Sequence, residues 1–331
     1  MQSMLIGTSR GIYRTGNGDS ERVSEGKGVR EIVGVEQDIL AGTADGVIRS
    51  SNQGQSWQNS GLTGRAVWQI KQTARGELIA GTQPAGVFIS DNAGATWREL
   101  ESFANAPEAA DWCIPVDPPQ AGQARAIVAH AQDAQILSVG VEVGGIMRSA
   151  DGGVTWSLTL PGDNPDIHMM FAHPQNPETL FVSTGYGRLN GIAEMIEGNA
   201  GVFRSLDGGA HWEYVWHGMT PRYSRPMCID ARPPCALTVA SAPTAFSHYR
   251  DKGGAQAMLF QSVDQGASWN SLCDPAHSPS PVNFHAVTPD PTHAGGVLVG
   301  TDNGEVWRVT LPSKWSQVVT GLPAVLSIYA A

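Results

Sequence analysis

Lysine is almost missing from this chain: only Lys27, Lys71, Lys252 and Lys314 occur among 331 residues, within 21 basic side chains in all. There is no basic run, and the formal net charge is −10. A polyanion or an acidic lipid surface would be repelled by that mean field, so neither a nucleic acid nor a membrane is an expected partner. Long apolar runs are lacking too. Met1 to Thr8 reads as a strand, not as a basic segment followed by an apolar one, and a cytoplasmic location is expected. The four cysteines (Cys113, Cys228, Cys235 and Cys273) show no C-x-x-C spacing and are too few for a disulfide scaffold, so reduced thiols are expected. Charged residues reach only 16%, which is poor material for solvent-facing helices.

What the chain has instead is 39 Gly, 21 Pro and 10 Trp, a mixture suited to short strands and tight turns. One pattern recurs. A short apolar strand ends in Gly-Thr or a close variant, as in Leu5–Thr8, Leu40–Thr43, Leu78–Thr82, Ile136–Gly140, Leu180–Thr184, Leu237–Ser241 and Val297–Thr301. A turn leads to a second strand, often ending in Arg-Ser: Gly11–Arg14, Gly46–Ser50, Gly86–Ser90, Gly145–Ser149, Gly201–Ser205, Ala257–Ser262 and Gly304–Val309. An apolar strand precedes most copies (Ala66–Ile70, Arg125–His130, Ile167–His173, Arg225–Asp230, Val282–Val287), and a Trp opens a fourth. Four short strands repeated about every 40 residues predict a β-propeller blade. Seven copies predict an all-β, seven-bladed propeller of four-stranded antiparallel blades, forming a single domain over 1–331.

The turn after Arg-Ser carries the most specific motif. It reads Ser149-Ala-Asp151-Gly-Gly153-Val-Thr155-Trp156, then Ser205-Leu-Asp207-Gly-Gly209-Ala-His211-Trp212, then Ser262-Val-Asp264-Gln-Gly266-Ala-Ser268-Trp269. Asn52 and Asn92 replace the Asp in two further copies. These turns resemble the Asp-box (BNR) repeat of the sialidase-like superfamily, and the chain is similar to short bacterial BNR-repeat proteins described as glycosyl hydrolase-like. The resemblance implies a propeller and leaves the activity open. The Arg-Ile-Pro segment of sialidases is absent, and their Tyr–Glu nucleophile pair has no matching positions. The repeated Asp residues are expected to accept N–H groups of their own turns, with Gly at positive φ and Trp packed between blades. Arg49, Arg148, Arg204 and Arg308 recur at one position per blade and are assigned to the framework.

The first strand seen, Leu5–Thr8, has no inner strand before it, whereas Ala324–Tyr329 is a surplus apolar strand after Trp315. Pairing the two completes blade one, about 1–24 plus 322–331, and removes the exposed edges. Spacing between equivalent positions grows from 35 residues (Thr8 to Thr43) to 60 (Ser241 to Thr301). The extra length falls in 98–124, 185–200, 242–256 and 270–281, all mapping to the face opposite the Asp turns, where long loops usually serve function.

Residues that begin the inner strands should line the channel mouth on that face. Arg30, Arg65, Arg125 and Arg225 are the expected substrate-binding cations, with Trp68, Tyr186 and His285 beside them; Glu31, Asn283, Arg188, His248 and Arg250 lie nearby in the sequence. His168, Asp166, Glu142 and Tyr223 are the candidate proton-transfer residues. Guanidiniums with carboxylates, imidazoles and aromatic walls suit a small anionic or carbohydrate-like ligand. The reading is a hydrolase or lyase acting on a small or sugar-like carboxylate; the alternative is a non-enzymatic interaction or assembly-factor propeller using the inserted loops. No cofactor is called for. Asp166 and His168 are the candidate ligands for a divalent ion, which Glu142 or His285 could join, although the spacing fixes no third ligand.

Overall fold

The computed structural model describes residues 3–16, 19–26, 28–186 and 195–330. Among them stand seven four-stranded antiparallel sheets arranged as a propeller, with a two-stranded hairpin (Cys113–Ile114 with Gln120–Ala121) and only short helical turns besides. Blade two is typical: Glu31–Val35 is innermost, followed outward by Asp38–Thr43, Gly46–Ser50 and Gln58–Asn59. The inner strands pack side by side around the axis. Blade one is completed as expected. Val325–Ala330 joins Met4–Thr8 as an antiparallel inner strand, with Leu5 opposite Tyr329 and Ile6 opposite Ile328.

The Gly-Thr repeat has two separable causes. The glycine lets one blade's second strand press against the next blade. A Cβ on Gly81 would lie 2.3 Å from the Ala124 carbonyl oxygen, and on Gly140 or Gly300 it would meet Ile167 or Val325 at 2.4 and 2.3 Å. The threonine closes the following turn: Thr8 Oγ1 donates to the Gly11 carbonyl and Thr43 Oγ1 to that of Gly46 (2.8 and 2.9 Å). Apolar side chains fill the seams between blades. Ile79, Val87 and Phe103 pack with Ile127, Val139 and Met147 in the seam after blade three.

The repeated Asp side chains are absorbed by their own turns. Ser149 Oγ donates to Asp151 Oδ1 at 2.8 Å, and Thr155 gives Asp151 both its N–H and its hydroxyl. Gly153, whose N–H donates to Ser149 Oγ, has φ 86°, a conformation few other residues accept. The Trp that follows bolts one blade to the preceding one: Trp97 Nε1 donates to the Ser60 carbonyl at 2.9 Å and Trp315 Nε1 to that of Leu272 at 2.7 Å. The repeated arginines also serve the frame; Arg148 Nε donates to the Gly208 carbonyl at 2.8 Å, and Arg308 pairs with Asp290 at 2.7 Å.

Two outcomes follow. Gly81→Ala forces carbon against backbone and should destabilise the protein by about 2 kcal/mol, whereas Gly16→Ala, with nothing within 4 Å, should change little; urea unfolding compares them. Hydrogen bonds from Thr155 hold Asp151 at about 2, and those from His211 hold Asp207 at about 2, both down from 3.8. Their depressed values stabilise the fold above 3.8, and that contribution is lost as pH falls through about 2. Melting temperature in that window should therefore fall less steeply for Asp151→Asn than for wild type.

Candidate functional site

The inner strands do not run as regular ladders. The register of five of them slips by one residue against the second strand, at Trp68, Arg125, His168, Arg225 (with Pro226) and His285. The closing strand slips at Leu326. In blade two, Arg30 holds the equivalent place just ahead of Glu31–Val35, its N–H donating to the Gly42 carbonyl at 2.9 Å. A β-bulge leaves one residue outside the pairing and re-aims its side chain. All seven of these side chains, one per blade, line a central cavity of about 490 Å³.

Toward the mouth the cavity is cationic. The Arg30 guanidinium lies 3.6 Å over the Trp68 ring, and Arg125 lies 4.5 Å from the same ring. Arg125 is ion-paired with Glu142. Arg225 donates to the Tyr223 hydroxyl at 3.3 Å, and among the described residues neither it nor Arg30 meets a carboxylate at ion-pair distance. Burial, then the like charges of Arg125 and Arg225, push Arg30 down to about 10. Burial, followed by the charges of Arg225 and His248, lowers His285 to about 4. The wall is stiffened across blades: Gln69 Oε1 accepts the Ile127 N–H at 2.8 Å, and Ser183 Oγ donates to the Arg225 carbonyl at 3.0 Å. Deeper in the channel, Lys71 pairs with Glu31 beside Phe171, Met169 and Ile229.

Not every expected residue reaches this surface. Arg65 does not line the cavity. It precedes the strand Ala66–Gln72, its carbonyl accepts the Gly46 N–H, and its guanidinium turns outward to Glu99 (3.8 Å) and over Phe88 (4.9 Å). The bulge three residues later aims Trp68 inward instead, so three arginines, not four, share the equivalent position. Asp166 and Tyr223 lie behind the wall, each 5% exposed, supporting His168 and Arg225. Tyr223 packs its ring 4.7 Å from that of His168, and burial pushes its phenol up to about 12, so it stays protonated. Burial also raises Asp166, but His168, Arg125 and Arg225 outweigh it and hold the carboxyl below the usual range. Tyr186 is not a lining residue either; it follows Gly185, which lies against Tyr223 and Asp166. Arg188 falls outside the described residues. Leu326, Ile114 and Gln120 line the cavity without having been singled out; only the repeat register could have exposed Leu326.

The inserted loops on this face are anchored to the ring. Asp302 accepts the N–H groups of both Tyr249 and Asn283 (2.8 and 3.0 Å), and Asn283 Nδ2 donates to the Ser247 carbonyl at 2.6 Å. The segment 101–114 adds a helical turn and part of the hairpin that brings Ile114 and Gln120 to the rim.

No family model matches the chain. It is 25% identical over 226 residues to an oligoxyloglucan-reducing end-specific xyloglucanase of Emericella nidulans, covering 59% of this chain and 25% of that protein. The fold is similar to the GH74 xyloglucanase of Xanthomonas campestris, with a TM-score of 0.69 at 17% identity, over 99% of this chain and 52% of the other. It is also similar to YCF48 bound to a D1 peptide, with a TM-score of 0.58 at 15% identity over 96% and 84%. The chain thus spans about a quarter of the xyloglucanase from Emericella nidulans and about half of the one from Xanthomonas.

His285 should remain neutral at every pH well above 4, and replacing Arg225 with Gln should move its titration upward toward 6.5, because a facing positive charge is removed. Imidazole nitrogen shifts in a pH series measure both.

Proposed function

We propose that the channel mouth binds a small, sugar-like carboxylate, such as a uronic acid or the end of an acidic oligosaccharide, and cleaves it by hydrolysis or elimination. The observation that carries this reading is the set of three buried or half-buried guanidiniums, Arg30, Arg125 and Arg225, converging on one cavity, two of them without a carboxylate partner among the described residues. Excess buried positive charge is costly unless an anion completes it, and guanidinium matches the planar carboxylate. Trp68 holds the Arg30 and Arg125 guanidiniums against its ring and so fixes their spacing, while Glu142 and His168 stand in the same wall. Tyr223, kept neutral, positions Arg225, and Asp166 positions His168. The likeness to xyloglucanases supports a carbohydrate, and the arginines narrow it to an acidic one. The Ser-x-Asp turns are consistent with a sialidase-like, Asp-box ancestry for the ring.

A second reading has its own support. Phe246, on the inserted loop of blade six, is 81% exposed, and YCF48, similar in fold, was solved with a peptide bound. On that reading the inserted loops dock a protein chain.

Isothermal titration decides between them. Galacturonate or glucuronate oligomers should bind wild type, with Arg30→Gln and Arg225→Gln each weakening binding about 10- to 100-fold, the worth of one or more charge-assisted hydrogen bonds. Neutral oligosaccharides binding as tightly as the acidic ones, or variants binding like wild type, would sink the proposal. Incubation then separates the chemistries: elimination leaves an ultraviolet-absorbing unsaturated end, whereas hydrolysis leaves only new reducing ends.

A further inference from the structure

We infer that Glu142, Asp166 and His168 form a cradle for one divalent first-row transition-metal ion, such as Mn²⁺ or Zn²⁺, set in the wall of the same cavity. The inference concerns the wall itself and does not depend on the identity of the sugar.

The first observation is the imidazole. His168 is fully buried, and its Nδ1 lies 2.6 Å from the Ser224 carbonyl oxygen. A carbonyl can only accept, so Nδ1 carries the proton and, in the neutral ring, Nε2 presents a lone pair. That is the arrangement that orients a metal-binding histidine, with the far nitrogen anchored to a backbone acceptor.

The second observation is what Nε2 faces. Asp166 Oδ1 stands 3.2 Å away, buried as well, yet the contact lacks hydrogen-bond alignment; among the described residues neither atom has a hydrogen-bond partner. A buried carboxylate oxygen and a buried imidazole nitrogen held this close need a positive centre between them: a proton on Nε2 in the metal-free protein, which the ion would displace on binding. Two ligands bound at about 2.0–2.2 Å to one ion stand roughly 3.0–3.5 Å apart, and the observed separation falls in that range. Glu142 supplies the third arm. A ligand atom from each of the three residues lies within 4.8 Å of the others, and the strands bring them together through the bridge between Glu142 and Asp166.

The donor set selects the ion. Two carboxylate oxygens and one imidazole nitrogen, with no thiolate, suit Mn²⁺ or Zn²⁺ more than Ca²⁺ or Mg²⁺, which favour oxygen alone. Glu142 and His168 are both lining residues, so the ion would sit in the cavity wall. Arg125, already paired with Glu142 Oε2, would hold that ligand from behind.

The test uses the whole chain, stripped with a chelator and titrated calorimetrically with Zn²⁺ and with Mn²⁺, without sugar. About one equivalent should bind wild type, and His168→Gln and Glu142→Gln should each lower affinity by at least about tenfold, while near-ultraviolet circular dichroism confirms that both variants keep the native tryptophan environment. Absence of binding by wild type at millimolar metal, as expected if a proton alone satisfies the Asp166–His168 pair, would overturn the inference. So would equal affinity in wild type and both folded variants, which would put the ion elsewhere. Failure of the uronate titration would leave this result standing, because Arg30 and Arg225 are not among the ligands.

Discussion

The ring depends on how closely the second strand of one blade approaches the inner strand of the next. At Gly81 that distance leaves no room even for a methyl group against the Ala124 carbonyl. Closeness of this kind sets the radius of the ring and hence the width of the channel. The seams are then filled by aliphatic side chains, and the tryptophans cross them from outside. Packing here is not a background condition but the source of the cavity's dimensions.

The inner strands bulge as well. A bulge bends its strand and leaves one residue out of the pairing, and here that residue enters the channel. Six such slips, with Arg30 at the equivalent seventh place, give the channel one side chain per blade. In this chain the seven comprise three arginines, two histidines, a tryptophan and a leucine. Chemistry and architecture are thus separated within single strands, the paired residues serving the frame and the unpaired one serving the cavity.

This separation also explains what is legible in the sequence. The blades, the closing strand and the harmless role of Asp151, Asp207 and Asp264 were legible because each rests on a local rule repeated along the chain. That Arg30, Trp68, Arg125, His168, Arg225 and His285 line the cavity was legible because polar or aromatic residues at the start of an apolar strand stand out. Arg65 was misplaced for a physical reason: counting from the preceding turn does not reveal where the bulge falls, and the difference turns a side chain from the axis to Glu99. Asp166 and Tyr223 were recognised by type but assigned to the surface, whereas depth behind the wall depends on neighbouring blades far away in sequence. Leu326 carries no mark in its residue type, and only its place in the repeat register singles it out.

A residue left out of the ladder contributes little to strand pairing, so the register does not depend on its side chain. The frame can remain constant while these positions change, except where a buried one such as His168 also ties its blade to the next. A ring of this kind can acquire, lose or exchange ligands by single substitutions at the channel while its turns go on obeying their own local rules.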